Sequence, residues 1–189
     1  MIRDLIVKNR SYRRFYEDVS VELETLKELI DLGRLSASAA NLQPLKYIIS
    51  CDPEKNVQIF PCLAWAAYIR DWDGPIEGER PSAYIIILGD NEISNSFGCD
   101  HGIAAQSILL GAVDRDLGGC IIRSVQREKL RRALNIPLRY DILLVLALGK
   151  PKETVVIEAV TSDGDIKYWR DKNGVHHVPK RSLDDIIIG

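Results

Sequence analysis

Positively charged side chains gather at two places that lie far apart in the sequence. Arg10, Ser11 and Arg13 stand near the start, and Lys180 and Arg181 stand near the end. A phosphate monoester binds best where two or three charge-assisted donors converge from rigid elements. These residues are therefore candidates for a phosphate site, and the alternative interpretation is that both clusters are solvated surface.

Between the two clusters lies the polar segment SASAANLQP, residues 36–44. The amides of Asn41 and Gln43 each offer a donor and an acceptor, which suits the imide edge of a planar heterocycle. The serines and alanines around them leave space for a ring to lie flat. The alternative is a polar loop that merely follows the end of a helix.

The common catalytic signatures are absent from the sequence. It contains no GxSxG, HExxH or P-loop motif, and no GxGxxG motif after a strand. Gly111, Gly118 and Gly119 lie at a helix end and at the entry to a strand, which is the wrong order for a dinucleotide fingerprint. The sequence does not predict a Rossmann-type site for NAD(P).

The cysteines and histidines do not indicate a metal centre. The four cysteines are scattered and form no CxxC pair, which favours buried, reduced thiols in a cytoplasmic protein. His176 and His177 are adjacent, so on a strand they would point to opposite faces. We expect both to be surface histidines.

Charge and hydropathy exclude further classes. The 189 residues carry a formal net charge of −2, and the pI of about 6.0 argues against a dedicated nucleic-acid binder. The start, MIRDLIVKNR, does not resemble a signal peptide, and no apolar run approaches the ~18 residues of a membrane span. We expect a cytoplasmic protein with no membrane partner.

Hydrophobic periodicity predicts the elements that must position these residues. Helices are predicted over 2–9, 22–36, 100–117 and 125–134, and strands over 45–51, 83–89, 118–122 and 142–149. The strand at 83–89 is apolar on both faces, so it should be fully buried. The helix at 100–117 is apolar around most of its circumference, which indicates burial at the centre of the domain or at an oligomer interface. The mixture predicts one α/β or α+β sandwich with no domain boundary in residues 1–189.

The C-terminal residues follow a different pattern. Asn173 and Gly174 stand between strand-like flanks, which predicts a hairpin. The chain ends with three β-branched residues, Ile186–Ile188, that have no local partner. We expect them to add as a strand to a sheet, either in the same subunit or in a neighbour.

Taken in order, several segments resemble the FMN-dependent nitroreductase family. They are KNRSYRRF, SASAANLQPLKYII, DHGIAAQSILLGAVDRDLGGCII, LALGKP and KRSLDDI, and together they cover essentially the whole chain. The family patterns are R-R-S-x-R-x-F near the start and P-S-x-x-N-x-Q-P in the loop. This chain has Asn9 in place of the first arginine and Ala37 in place of the first proline.

The resemblance implies roles for the two basic clusters. Arg10 and Ser11 would bind the FMN phosphate, with Lys180 and Arg181 completing that site. Arg13 would approach the N1/O2 side of the flavin ring, where a fixed cation favours the negative charge of the reduced ring. Arg14, which is variable in the family, would face solvent.

The resemblance also implies roles for the loop and for the entry to the strand. Ser38, Asn41 and Gln43 would reach the flavin from the second subunit of a homodimer. A backbone N–H of Arg123 or Ser124 would face flavin N5, the atom that takes the hydride.

The implied fold is an α+β three-layer sandwich, with a central, mostly antiparallel sheet flanked by helices and a C-terminal strand exchanged in the homodimer. The implied activity is ping-pong transfer of hydride from NAD(P)H through FMN to a nitroaromatic, quinone, flavin or similar small oxidant. A flavin-binding sensor or scaffold without turnover is the alternative, and a structural dimer with a degenerate site is a third hypothesis. Neither the electron acceptor nor the choice between NADH and NADPH follows from the sequence.

Two further segments, residues 60–75 and the hairpin YWRDKNGVHH, lie outside the general pattern of the family, and the first of them is rich in aromatic residues. Its Trp65, Tyr68 and Trp72 could cap the flavin and shape a substrate pocket, or they could simply pack a long excursion onto the core.

Overall fold

The computed structural model describes residues 1–69 and 71–189, and within them helices cover both faces of a central sheet. The described residues contain five α-helices: α1 Ile2–Lys8, α2 Leu23–Arg34, α3 Pro53–Ile59, α4 Asp100–Asp114 and α5 Arg127–Ala133. They also contain eight strands: β1 Phe15–Tyr16, β2 Leu45–Ser50, β3 Ala83–Asp90, β4 Gly118–Ile122, β5 Tyr140–Pro151, β6 Val155–Ala159, β7 Trp169–Arg170 and β8 His176–Lys180. No helix within these residues is long and apolar enough to cross a membrane.

The central sheet is built around β5. Strand β3 pairs with one edge of β5 and β4 with the other, β1 pairs with the last two residues of β5, and β2 is the outer neighbour of β3. Every pairing in this sheet is antiparallel. The predicted antiparallel sheet is therefore confirmed.

Alternation along the strands divides the core into two layers. Ile85 and Ile87 of β3 face a cluster that includes α2 and α4, whereas Ile86 and Leu88 face a cluster that includes α3 and α5. Because both faces of β3 are covered, all eight of its residues are buried. The predicted three-layer sandwich and the fully buried strand are both confirmed.

The predicted helices and strands match the observed ones to within a few residues at their ends, but strands β1 and β6 were not predicted. Helix α3 was not predicted either. Its start carries a recognisable signal, because Asp52 is the N-cap and accepts a hydrogen bond from the Glu54 N–H at 3.0 Å. Pro53 stands at the first helical position, where a missing N–H costs nothing.

Helix α4 packs on the sheet through one side only. Ala105 and Ile108 are fully buried against β3 and β5, but Ile103 is 40% exposed and Gln106 is exposed. The sequence predicts that this helix is buried either at the centre of the domain or at an oligomer interface. Burial on all sides within one subunit is not observed. An oligomer interface stays a prediction.

Strands β6, β7 and β8 form a second sheet, which we call the C-terminal sheet. The predicted hairpin is confirmed, since β7 pairs antiparallel with β8 around Gly174, whose φ is 80°. Strand β6 pairs parallel to β8, and that pairing was not predicted. Ile186–Ile188 form no strand and are 59–99% exposed, so addition to a sheet of the same subunit is wrong.

Candidate functional site

The basic segment between α1 and β1 lies alongside β4. Ser11 forms a parallel bridge with Gly119, and the Tyr12 N–H donates to the Gly119 carbonyl at 3.0 Å. Phe15, at the start of β1, is fully buried. These contacts fix the backbone that carries the three predicted donors of this segment.

A cavity of about 300 Å³ opens beside this segment, and we call it the basic cavity. Arg10, Ser11, Arg13 and Lys180 all line it, so the structure brings these four predicted residues together. Arg181 does not line it and is exposed just beyond β8.

Asn9 also lines the basic cavity, at the position where the family pattern has an arginine. Its amide donates to the Gln106 side chain on α4 at 3.4 Å. Asn9 therefore contacts α4 through a neutral amide, at a position where the family pattern has a positively charged arginine.

Arg13 is held from several sides and is only 9% exposed. Its Nη1 donates to the Ser11 carbonyl at 3.2 Å and lies 3.2 Å from Nε2 of His176. Its guanidinium sits 4.9 Å from the ring centre of Tyr168. The side chain is thus fixed with its charge against the cavity.

His176 is a neutral acceptor for Arg13. Burial, and then the nearby Arg13 and Arg170 charges, lower the pKa of His176 to about 4. The neutral ring accepts from Arg13 at Nε2, so its proton lies on Nδ1. The expectation of surface histidines is wrong for His176, which is 1% exposed; its neighbour His177 instead stacks on Trp169 with ring centres 4.0 Å apart.

Glu153 joins the N-terminal segment to the C-terminal sheet. Its buried carboxylate accepts from the backbone N–H groups of Arg13 and Arg14 and from the Arg170 guanidinium, the last at 2.9 Å. Sequence reasoning missed Glu153, because its partners lie up to 140 residues away and no local pattern marks it.

Arg14 does not face solvent, so that prediction is wrong. It forms a bidentate ion pair with Glu79, with both N–O distances at 2.6 Å. Lys152 lies 3.2 Å from the same carboxylate. The hydrogen bonds from Arg14, supported by Lys152, lower the pKa of Glu79 to about 2. This pair fixes the backbone that follows Arg13.

A second cavity, of about 210 Å³, adjoins the basic cavity, and we call it the inner cavity. Arg13 and Tyr168 line both. Arg123 and Ser124, which follow β4, line the inner cavity together with Trp65. The predicted backbone donors and the basic cluster therefore share one continuous region of the surface.

The three aromatic residues of the segment all pack against other side chains, and capping of the flavin stays a prediction. Trp65 lines the inner cavity and also packs in the core, with its ring centre 5.9 Å from that of Phe60. Tyr68 packs on Tyr168 at 5.0 Å, and Trp72 packs under Arg170 at 4.8 Å. One residue of the segment, at position 70, lies outside the described residues.

The loop that contains Ser38 lies elsewhere in the same chain. The Ser38 hydroxyl donates to Asp100 at 2.6 Å and accepts from the Gln43 N–H at 2.9 Å. Ser38 and Gln43 line a third cavity, of about 470 Å³, which shares no lining residue with the basic cavity. Asn41 is exposed. Within one chain, these three predicted residues do not join the basic cluster.

Comparison with known proteins assigns the class. The chain matches the nitroreductase family over residues 6–74 and 78–150, and it belongs to that family. The resemblance inferred from the sequence is confirmed, and it gives the chain a general oxidoreductase role. The match includes residues 60–74, so the expectation that this segment lies outside the family pattern is wrong. The match ends at the end of β5, and the C-terminal sheet lies beyond it.

Individual relatives agree with this assignment. A protein of Archaeoglobus fulgidus, provisionally named NADH dehydrogenase/NAD(P)H nitroreductase, is 24% identical over 78% of this chain and 84% of its own. The structure of an FMN-dependent nitroreductase from Clostridium difficile is 25% identical, with a TM-score of 0.64 over 80% of this chain and 88% of the other. A nitroreductase family protein from Streptococcus pneumoniae is 17% identical and shares the fold over 100% of both chains, with a TM-score of 0.70.

Proposed function

We propose that this chain is an FMN-dependent oxidoreductase that takes hydride from NAD(P)H and passes it to a small oxidant such as a nitroaromatic, a quinone or a flavin. The observation that carries the proposal is the basic cavity. Arg10, Ser11, Arg13 and Lys180, which the sequence separates by up to 170 positions, line this one space. The name of the Clostridium difficile relative supports FMN as the cofactor.

The residues of the basic cavity fit the chemistry of a phosphorylated flavin. A phosphate requires several donors, some of them charged, and Arg10 and Lys180 supply the charged ones while the Ser11 hydroxyl supplies a neutral one. Two buried nitrogens of this wall, Nε of Arg10 and Nδ1 of His176, have no hydrogen-bond partner among the described residues. Buried donors of this kind are costly unless a ligand satisfies them.

Each residue then has a distinct task. Arg10, Ser11 and Lys180 bind the phosphate, and Arg13 holds the pyrimidine edge of the ring with its positive charge. The backbone N–H of Arg123 or Ser124 donates a hydrogen bond at the hydride-accepting atom. FMN, when bound, supplies the hydride chemistry itself.

The remaining predicted residues act from the second subunit of a homodimer. Asp100 fixes Ser38, and the loop carries Asn41 and Gln43 on its outer side. The partly exposed α4 and the exposed Ile186–Ile188 support an interface with a second copy. The segment after β8, which includes Arg181, belongs to the same exchanged region.

The test is optical and uses the purified, FMN-loaded protein. We expect a yellow protein that bleaches anaerobically on addition of NAD(P)H and recovers colour with a nitroaromatic or a quinone. Arg10→Ala should weaken FMN binding at least tenfold, whereas Arg3→Ala, on the exposed side of α1, should not. Bound FMN that no nicotinamide reduces would favour a sensor or scaffold. A protein that never binds FMN would contradict the proposal.

A further inference from the structure

An open groove of about 710 Å³ adjoins the inner cavity on the side of α5, and we call it the arginine groove. Arg123, Arg127 and Arg131 line it, and Arg123 also lines the inner cavity. A molecule with one end in the inner cavity could therefore place its other end among these arginines.

The arginines are held largely by backbone carbonyls. Arg127 donates to the carbonyl of Ile142 at 2.9 Å, and Arg131 donates to the carbonyl of Pro137 at 2.8 Å. A neutral carbonyl positions a guanidinium without cancelling its charge. The contacts therefore fix two cations at the groove and leave them charged.

Carboxylates compensate these cations only partly. Glu128 lies 3.8 Å from Nε of Arg131, but its side chain is 79% exposed, and such pairs are weak. Asp141 also lines the groove. Within the described part of the chain, no carboxylate lies within ion-pairing distance of Arg123 or Arg127, so the groove keeps a positive character.

We propose that the arginine groove binds the phosphates of the nicotinamide dinucleotide, and that the 2′-phosphate of NADPH makes NADPH the preferred hydride donor. This inference rests on the proposed function, because the nicotinamide must then reach the inner cavity. The chain has no glycine-rich dinucleotide motif, so side chains must hold the phosphates. Guanidinium groups bind phosphate oxygens in a bidentate manner, and NADPH carries one phosphate more than NADH.

A binding measurement tests the groove independently of turnover. The probe is 2′,5′-ADP, which carries the 2′-phosphate but no nicotinamide, titrated calorimetrically into the FMN-loaded protein. Arg127→Gln should weaken its binding about tenfold or more, and the KM for NADPH should rise by a similar factor with a smaller change for NADH. Arg132→Gln is the matched control, because Arg132 is exposed on α5 and does not line the groove.

Arg127 donates a hydrogen bond to a carbonyl of β5, so the melting temperature of Arg127→Gln is measured to check that the variant is folded. Arg123→Gln provides a second test. Arg123 is exposed, and its guanidinium makes no hydrogen bond to a described residue. Its substitution should weaken the binding of 2′,5′-ADP in the same direction. Unchanged affinity in both variants, or equal KM values for NADH and NADPH in the unmodified protein, would overturn the groove assignment.

An error in the assignment of the groove and an error in the proposed function would give different experimental results. A dihydronicotinamide without phosphates should reduce the bound FMN at the same rate in Arg127→Gln and Arg132→Gln. If no nicotinamide of any kind reduces FMN, the proposed activity fails, while the titration with 2′,5′-ADP still decides whether the groove binds phosphates.

Discussion

At the scale of single residues, Glu153 controls the position of Arg13 without facing the cavity itself. Its carboxylate accepts from two consecutive backbone N–H groups and from Arg170, so one side chain sets the path of the N-terminal segment. A buried carboxylate with three donors is sensitive to any loss of charge, because the remaining cation is left without its counter-ion.

We expect Glu153→Gln to lower the free energy of unfolding by about 3–5 kcal/mol, measured by urea denaturation, because it breaks a buried ion pair. The same variant should bind FMN more weakly, since Arg13 loses its backbone anchor. Glu77→Gln, in an exposed loop position, should change stability by less than about 0.5 kcal/mol. Stability equal to that of the unmodified protein would argue against this role of Glu153.

The pair between Glu79 and Arg14 predicts a pH dependence. The pKa of Glu79 is lowered to about 2 by Arg14, so the folded state favours the ionised carboxylate. Its contribution to the free energy of unfolding, at most about 3 kcal/mol because solvent screens the partly exposed Arg14 and Lys152, is present above pH ~4.5 and disappears as the pH falls towards 2. Glu79→Gln should therefore be less stable than the unmodified protein at pH 7. A stability difference that stays constant from pH 7 to pH 2.5 would contradict the assignment.

These residue-scale contacts are also the part that the sequence could not predict. Glu79 and Arg14 are 65 positions apart, and His176 and Arg13 are 163 apart. Neither pair leaves a periodic or local pattern. The roles of Arg10 and Arg13 were predicted only through the ordered family motifs, since each basic cluster alone is compatible with a solvated surface.

At the scale of elements, most helices and strands of the central sandwich are predicted correctly, because the hydrophobic pattern that marks each of them is local in the sequence. A run such as AYIIILG is apolar on both faces, and burial of both faces follows from alternation. The C-terminal sheet was predicted only in part, because the Asn173–Gly174 turn marks the hairpin, whereas the parallel pairing of β6 with β8 depends on contacts across 21 positions.

The close approach of β4, β5 and α4 makes Gly119 essential to these elements. A Cβ at Gly119 would lie 2.7 Å from the Ala147 carbonyl and 2.6 Å from Leu109, and backbone cannot move aside cheaply. We expect Gly119→Ala to lower the melting temperature by roughly 2–12 °C. Gly102→Ala, on α4 with open space around it, is the control and should leave the temperature equal or slightly higher. An unchanged melting temperature for Gly119→Ala would show that the strands separate more readily than their contacts indicate.

At the scale of the whole molecule, the predicted site is divided between two regions of one chain. The basic cavity holds Arg10 and Arg13, while Ser38 and Gln43 line a separate cavity. The proposed homodimer resolves this division, because a second copy can bring its loop to the first copy's flavin.

We expect Ile187→Asp to weaken the homodimer at least tenfold, because a charge replaces an apolar side chain in the exchanged segment. Sedimentation equilibrium measures the change, and the fraction of retained FMN should fall with it. Ile76→Asp is the control, since Ile76 is similarly exposed in a different region. A protein that is monomeric at all concentrations and still retains FMN would contradict the two-subunit site.

The hydrogen bonds of Glu153 also have a consequence for how this protein can diverge from its relatives. The C-terminal sheet lies beyond the family match, yet its His176, together with Tyr168 just before β7, lines the cavity beside Arg13. Because Glu153 ties that sheet to the segment that carries Arg10 and Ser11, a substitution that reshapes access for a new oxidant also shifts the groups proposed to retain the cofactor. We therefore predict that substrate range and cofactor retention are coupled traits in this chain, so directed evolution that selects for one should be monitored for loss of the other.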